Sequence, residues 1–301
     1  MLRGLYTAAA GMVAQQRKHD TVTNNMANVN TPGFKQGTGI SRSFPEMLIE
    51  RIRSGGGVNE PITAKVGRLT TGVMAEENVS VHAQGDIQET QNPYDFALIS
   101  NIQLPGAVFD ASGKYVDPNG TRIIQPQAFF TVMTADDQLR YSLNGKFSVD
   151  VDGSLINSEG RRVVGRDGQP IVLLDEASGA PITNFRITKA GGFTDIDGRP
   201  ILKANGEQMG MLITRIEDPN RLVKEGSGLF RMNEDAQELV NPINADDEVE
   251  VKQGYIERSN VDASQSMIDM MTALRAYEAN QKVIQFYDKS MEKAVNEVGR
   301  V

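Results

Sequence analysis

Cysteine is absent from this 301-residue chain, and disulfides, thiolate metal sites and cysteine nucleophiles are excluded with it. The absence does not fix a compartment, because a chain without thiols is equally safe in the cytosol and outside the cell. Histidine is nearly as scarce: His19 and His82 are the two present, and neither lies near a nucleophile motif from which a hydrolase triad could be built. No G-x-S-x-G elbow, Walker loop, dinucleotide fingerprint or H-E-x-x-H occurs. No run of about 18 apolar residues exists, so no segment reads as a membrane-spanning helix. The net charge is −8 and the basic residues are scattered, which leaves no electrostatic footprint for nucleic acid. The expectation is a protein that is not an enzyme, holds no cofactor and does not insert into a membrane.

What is present is turn chemistry and apolar periodicity. Twenty-nine glycines, twelve prolines and 39% hydrophobic residues describe a turn-rich interior with enough apolar surface for one or two cores. The chain start, "MLRGLYTAAAGMVAQQ", superficially resembles a secretory signal. One arginine makes a thin charged region, however, and Gly4, Thr7 and Gly11 dilute the apolar run. Export, where it occurs, is expected to keep the N-terminus.

The clearest period lies at the C-terminal end. Met267, Met270, Leu274, Tyr277, Gln281, Ile284, Asp288, Met291, Val295 and Val298 follow at alternating steps of three and four, a heptad seam in which Gln281 and Asp288 are the polar members. A helix from about Val261 to Val298 is expected, with Ser259 and Asp262 as a capping box at its start and Gly299 as the glycine beyond its end. The N-terminal end carries a weaker seam at Leu2, Leu5, Ala9, Met12, Gln16, His19, Thr23 and Met26, and this helix should stop near Asn28 to Asn30 because Pro32 follows. "TPGF" then fits a type II turn with Pro32 and Gly33 at its centre. Each seam finds its partner in the other or in a neighbouring molecule.

Between the helices the period is two. "QAFFTVMTADDQLRYSLNGKFSVDVDGSLINSEGRRVVGRDGQPIVLL" alternates short β-branched and aromatic runs with Asn-Gly and Asp-Gly turns, the spacing of successive hairpins. Gly55 to Gly57 reads as a link. The first 53 residues hold seven Lys/Arg against three Asp/Glu and residues 234–250 hold seven carboxylates without a basic residue, a pair of solvated flanks. "SVDVDGSLINSE", residues 148–159, has partial calcium-loop spacing, yet strands rather than helices should flank it, so a hairpin turn is the reading.

Three stretches resemble the bacterial flagellar basal-body rod and hook protein family. "LYTAAAGMVAQQRKHDTVTNNMANVNTPGFK" is similar to its N-terminal signature, a helix running into an Asn-rich segment and T-x-G-[FY]-[KR]. "FFTVMTADDQLRYSLNGKFSVDVDGSLINSEGRRVVGRDGQPI" resembles its central hairpin pattern. "GYIERSNVDASQSMIDMMTALRAYEANQKVIQFYDKSMEKAVNEVGRV" is similar to the C-terminal signature of the distal rod branch. After "NPYDFALIS" the chain departs from that pattern with an insertion from about Asn101 to Ala128.

The resemblance implies an α+β chain: a mainly β central domain whose long terminal helices pair as a coiled coil in the assembled filament. Residues 1–33 and 261–301 would form the helical axial domain, 34–80 and 226–260 the connecting segment, and 81–225 the outer β domain. The implied function is a structural subunit of the distal rod in the basal body, exported through the flagellar type III apparatus and polymerised into a torque-transmitting tube. Its partners would be copies of itself, other rod and hook proteins and the export apparatus. The residues expected to pack between subunits are Leu2, Leu5, Met12, Asn24, Asn25, Asn28, Pro32, Gly33, Phe34, Met267, Met270, Leu274, Tyr277, Gln281, Ile284, Asp288 and Met291. Asn24, Asn25 and Asn28 would bridge to a neighbour's backbone and fix register. The competing reading is a monomeric surface protein, its β domain on a helical stalk, binding calcium or glycan.

Overall fold

Both chain ends are helical in the computed structural model, which describes residues 2–53, 62–110, 113–174, 182, 184–203, 206–226, 228–244 and 247–298. The glycines read as a link, 55–57, and Gly299 lie outside these residues. The chain divides into two units: residues 1–27, 37–79 and 262–301 form the first, and 28–36 with 80–261 the second.

In the first unit, α1 (Leu2–Ala27) packs along α2 (Ala263–Lys293), which a π-helical turn extends over Ala294–Val298. A side chain added at Gly4 would meet the Tyr287 ring, and one at Gly11 would lie 3.0 Å from Asn280 Nδ2. Those two contacts make the helices antiparallel. They also explain the glycines, which leave room for the Tyr287 ring and the Asn280 amide where a larger side chain would collide. The start of α2 differs from the expected capping box. Asp262 is itself the N-cap, its carboxylate accepting from Ser264 N at 2.7 Å and Gln265 N at 3.1 Å, while Ser259 Oγ accepts from Val261 N. The chain cannot turn helical sooner, because the Arg258 and Asn260 amides still donate to the Asp86 and Phe34 carbonyls.

Four strands accompany the helices. β1 (Gly37–Ser43) pairs with β4 (Val73–Ser80), and β2 (Met47–Arg53) pairs antiparallel with β3 (Ile62–Leu69) around a bulge between Ile49 and Glu50. Thr7 Oγ1 donates to Thr71 O at 2.9 Å and Arg17 Nη1 to Ala75 O at 3.1 Å, which ties α1 to the start of β4.

The second unit is the β body. Its nine-stranded antiparallel sheet centres on Gln127–Met133, flanked by Leu139–Ser142 and, on the other side, by Arg162–Val163 and Ile213–Ile216. Every residue from Ala128 to Val132 is buried. Consecutive side chains of a strand point to opposite faces, so Phe130 enters a core with Phe96, Phe147, Phe193 and Met211, while Phe129 joins Tyr141, Ile216 and Phe230. The 148–159 segment is a hairpin: Phe147–Val149 pairs antiparallel with Leu155–Asn157, and Gly153 takes the positive φ of 71° that the turn requires. The inserted residues carry a small hairpin of their own, Lys114–Val116 on Arg122–Ile124.

Candidate assembly surfaces

The residues facing between the two helices are displaced by one position from part of the sequence-derived seams. Along α2, Ser266 and Ala273 are buried, Asn280 and Tyr287 meet the glycines of α1, and Met270, Tyr277, Ile284 and Met291 are half-buried beside them. Met267, Leu274, Gln281 and Asp288, the alternate members of the expected heptad, are exposed. Along α1, Ala8, Ala14 and Val22 are buried whereas Leu5 and Met12 are half-buried; Leu2 stands in the first turn of the helix. The cause is the glycines. With Gly4 and Gly11 seven residues apart on one face, the Tyr287 and Asn280 side chains seat there, which turns that face of α1 toward α2.

The asparagines have different surroundings. Asn25 is buried, and its amide makes a two-bond match with one peptide of its own chain, Nδ2 to Gly37 O at 2.8 Å and Gly37 N to Oδ1 at 2.9 Å. Its partner is therefore the start of β1 in the same chain and not the neighbour's backbone expected from the sequence. Asn28 accepts from the Thr31 amide at 3.1 Å through its carbonyl and from Thr31 Oγ1 at 3.2 Å through its side chain. Asn24 is exposed.

Pro32 and Gly33 form the expected turn, closed by Phe34 N donating to Thr31 O at 3.3 Å, with Gly33 at φ 70°. A Cβ at Gly33 would lie 2.5 Å from the Leu143 carbonyl carbon, so the position demands glycine for space as well as conformation. Phe34 is half-buried with the Lys224 ammonium 5.1 Å from its ring centroid, a cation–π arrangement. Burial pushes the Lys224 pKa below its ordinary value.

Sequence reasoning passed over the pair that locks this turn down. Lys35 Nζ and Glu257 Oε1 are 2.6 Å apart with side chains 1% and 2% exposed. Lys35 Nζ also donates to Ala83 O at 2.9 Å, and Glu257 Oε1 accepts from Gly85 N at 2.8 Å. Asn260 completes the clamp: its Oδ1 accepts from Gln36 N at 2.7 Å and its Nδ2 donates to Val81 O and Ala83 O at 2.9 and 3.1 Å. Three segments far apart in sequence, 33–36, 81–85 and 257–260, are held by two charges and one amide. The available signal was that Lys35 ends "TPGFK" and Glu257 and Asn260 sit in "GYIERSN", charged and amide residues inside stretches otherwise explained by turn and helix.

His82 lies beside this clamp with both ring nitrogens buried and without a hydrogen-bond partner among the described residues. Burial, with the positive charges of Lys35 and Lys224 behind it, lowers its pKa to about 3. It borders a polar cavity of about 350 Å³ that the inserted residues help to line, through Asp110, Lys114 and Gln125. Among the described residues no cluster of three or more metal-ligating side chains occurs, and no helix is long and apolar enough to cross a membrane.

A much more apolar groove of about 640 Å³ runs in the first unit between α1, through Arg3, Tyr6, Ala10, Val13 and Arg17, and the residues around Phe44, Met47, Val73 and Met74. Tyr6 is 69% exposed and Val13 49%. On α2, Met267, Met271 and Leu274 are each about half exposed, and Phe286 is 73% exposed.

Comparison with known proteins assigns the chain. The family described as "Flagella basal body rod protein" matches residues 5–35, "Flagellar hook protein FlgE/F/G D1 domain" matches 123–194, and "Flagellar basal body rod FlgEFG protein C-terminal" matches 252–297. The flagellar hook-basal body complex protein FlhO of Bacillus subtilis (strain 168) is 37% identical over the whole of both chains. The flagellar basal-body rod protein FlgG of Agrobacterium fabrum is 30% identical over 96% of each, and the FlhP protein of Bacillus subtilis is 28% identical over 97% of each. The chain belongs to the flagellar basal-body rod and hook protein family and is a structural component of the flagellar basal body.

Proposed function

We propose that the chain is a subunit of the distal rod, passed through the flagellar type III export apparatus with its N-terminus retained and added to a helical homopolymer that transmits torque to the hook and filament. One observation supports this above the others. After α1 and α2 have packed on each other, Tyr6 and Val13 on one helix and Met267, Met271 and Leu274 on the other are still about half exposed or more. Burying apolar area is worth about 25 cal/mol per Å², so two terminal helices with such stripes gain by stacking against copies of the same hairpin. In the tube, the paired helices would form the inner coiled-coil wall, and the β body would face outward. Other rod and hook proteins would cap the stack at its ends.

Deletion of residues 1–30 tests the reading. It removes α1 and leaves the β body's own core intact, so a folded protein that no longer reaches the basal body, in cells that no longer swim, is the expected result. Unimpaired swimming with the truncated chain as sole copy would overturn it. Among the described residues of the second unit nothing favours the calcium reading, since the 148–159 segment is a tight hairpin with Asp150 Oδ1 occupied by Val151 N at 2.7 Å.

A further inference from the structure

We propose that the groove beside α1 is the docking site for α2 of a second copy of this chain, in one antiparallel register: Arg3 on Glu278, Tyr6 on Leu274, Ala10 on Met271 and Val13 on Met267. The inference rests on the self-assembly reading above and deepens it by naming which faces meet.

The groove side is set by α1. Arg3, Tyr6, Ala10, Val13 and Arg17 recur at steps of three and four along one face and line the cavity, and this face is distinct from the Gly4 and Gly11 face already filled by α2 of the same chain. The middle of the groove is apolar and its ends carry the two arginines. Arg17 spends a donor on Ala75 O. Arg3 has no ion-pair partner among the described residues.

The occupant's side is set by α2. Met267, Met271, Leu274 and Glu278 lie at steps of four, three and four, and all four are exposed. They form one stripe on the face turned away from Ser266, Ala273 and Asn280. Glu278 likewise has no ion-pair partner among the described residues. The stripe is apolar for two turns and then acidic, which complements a groove that is basic at Arg3 and apolar from Tyr6 to Val13. Both spans run to about 15 Å at 1.5 Å per residue, so one alignment satisfies both the charge and the apolar matches. Sizes alternate as well: Ala10, the small residue of the groove floor, faces the long flexible thioether of Met271, and methionine fills irregular gaps of this kind.

The direction follows from symmetry. Copies stacked in one polar tube share an orientation, and α1 and α2 are antiparallel within each copy, so α1 of one copy and α2 of the next are antiparallel too. The contact is heterologous, each copy offering a groove on one side and a stripe on the other, and it therefore propagates instead of closing into a dimer.

The chain's lack of cysteine makes the test clean. Two variants, Val13→Cys and Met267→Cys, are made in the full-length protein and co-expressed in the flagellated cell; basal bodies are isolated and oxidised, and the products are separated without reductant. A covalent dimer that needs both variants is expected, and the pair Tyr6→Cys with Leu274→Cys should give the same product. Val13→Cys with Gln285→Cys, out of register, should not. Basal bodies that contain both variants without a Val13–Met267 cross-link would overturn the docking proposal and leave self-assembly standing. Failure of every variant, and of the unsubstituted chain, to enter basal bodies would overturn both. Charge exchange is the second reading. With like charges placed opposite each other, Arg3→Glu should lower incorporation at least about tenfold, and Arg3→Glu combined with Glu278→Arg should restore it. A double variant as defective as the single one would remove Glu278 as the partner.

Discussion

The two units solve the burial problem in opposite ways. The β body is closed on itself: Phe96, Phe129, Phe130 and Phe193 are fully buried, and its charged clamp is tied to the Ala83 carbonyl and the Gly85 amide. Its exposed apolar residues, such as Val108, Val151 and Ile196, are separated in the chain and need no partner. The helical unit buries mostly small residues, Ala8, Ala14, Ala273 and Ser266, and leaves Met267, Met271, Leu274 and Phe286 of α2 outside. The difference is what the proposed function requires: the first set of side chains folds one molecule, and the second would be held back for contact between molecules. Substitutions in the β body should therefore register as lost stability, and those on the helical stripes as lost assembly.

The largest effect is expected at the clamp. Removing one charge of a buried pair leaves the other uncompensated, at a cost of about 3–5 kcal/mol, so Lys35→Met should lower the unfolding free energy of the β body by that order in a denaturant titration. Lys35→Met combined with Glu257→Leu should recover much of the loss, because no orphan charge remains. A single variant as stable as the parent would show that the pair is not desolvated as its 1% and 2% exposure implies.

His82 should give the next effect, and its sign is fixed by the pKa. The ordinary value is 6.5 and the folded value about 3, so between those limits the unfolded chain binds more protons than the folded one, and stability rises with pH. Lowering the pH from 6.5 to 5 should remove about 1.6 kcal/mol through this one residue, and further acidification toward 3 should remove more. His82→Gln should flatten that part of the profile. Glu225 and Asp167, whose carboxyls are held below their usual range, act at lower pH and are unchanged in the variant. An identical acid slope in both proteins would contradict the burial of an unpaired imidazole.

Gly11 ranks third and tests the helical unit from within. A side chain there meets Asn280 Nδ2 at 3.0 Å, between α1 and α2. Gly11→Leu should spread the hairpin and cost about 1–3 kcal/mol of overpacking, against the gain in helix propensity of up to about 1 kcal/mol from losing glycine. Melting followed by helix ellipticity would read the net loss. Melting of the β body, read by near-ultraviolet signals from Phe and Tyr, should not move.

These outcomes bear on how far the sequence could be read. The existence of both helices, the hairpin character of the middle and the Thr31–Phe34 turn were legible because periodicity and Pro-Gly chemistry are local. The phase of the helical seams was not. A pattern of large apolar residues points to the stripe with the most hydrophobic surface, whereas the face between the helices carries the smallest residues, Gly4, Gly11 and Ala273. Reading Gly4 and Gly11 as dilution of an apolar run missed that they recur at a heptad interval. The strands at Gly37–Val79, two pairs beside the terminal helices, left no sign of that grouping in a segment of ordinary composition. The clamp was illegible for another reason: Lys35 and Glu257 are 222 residues apart, and no local rule links a lysine after a turn to a glutamate at the end of a strand.

The smallest effect on folding should come with a large one on assembly, at Leu274. Its side chain is 47% exposed, so Leu274→Asp removes little apolar surface from the folded monomer, and exposed substitutions of this kind usually change stability by within about 0.5 kcal/mol. The helix tolerates aspartate in mid-span at a cost of a few tenths of a kcal/mol. Thermal and denaturant midpoints should accordingly stay near those of the parent. In the polymer the same carboxylate would be pressed against an apolar neighbour, where burying an unpaired charge is far more costly than losing the leucine's area. Incorporation into basal bodies should fall by more than tenfold and motility with it. Met270→Asp makes the contrast sharp: that residue is half-buried on the face turned toward α1, so its substitution should destabilise the hairpin itself before assembly is reached. A chain in which Leu274→Asp and Met270→Asp lose stability equally would have one undivided helical surface, and the distinction between side chains that fold the monomer and side chains that join it to others would not hold for α2.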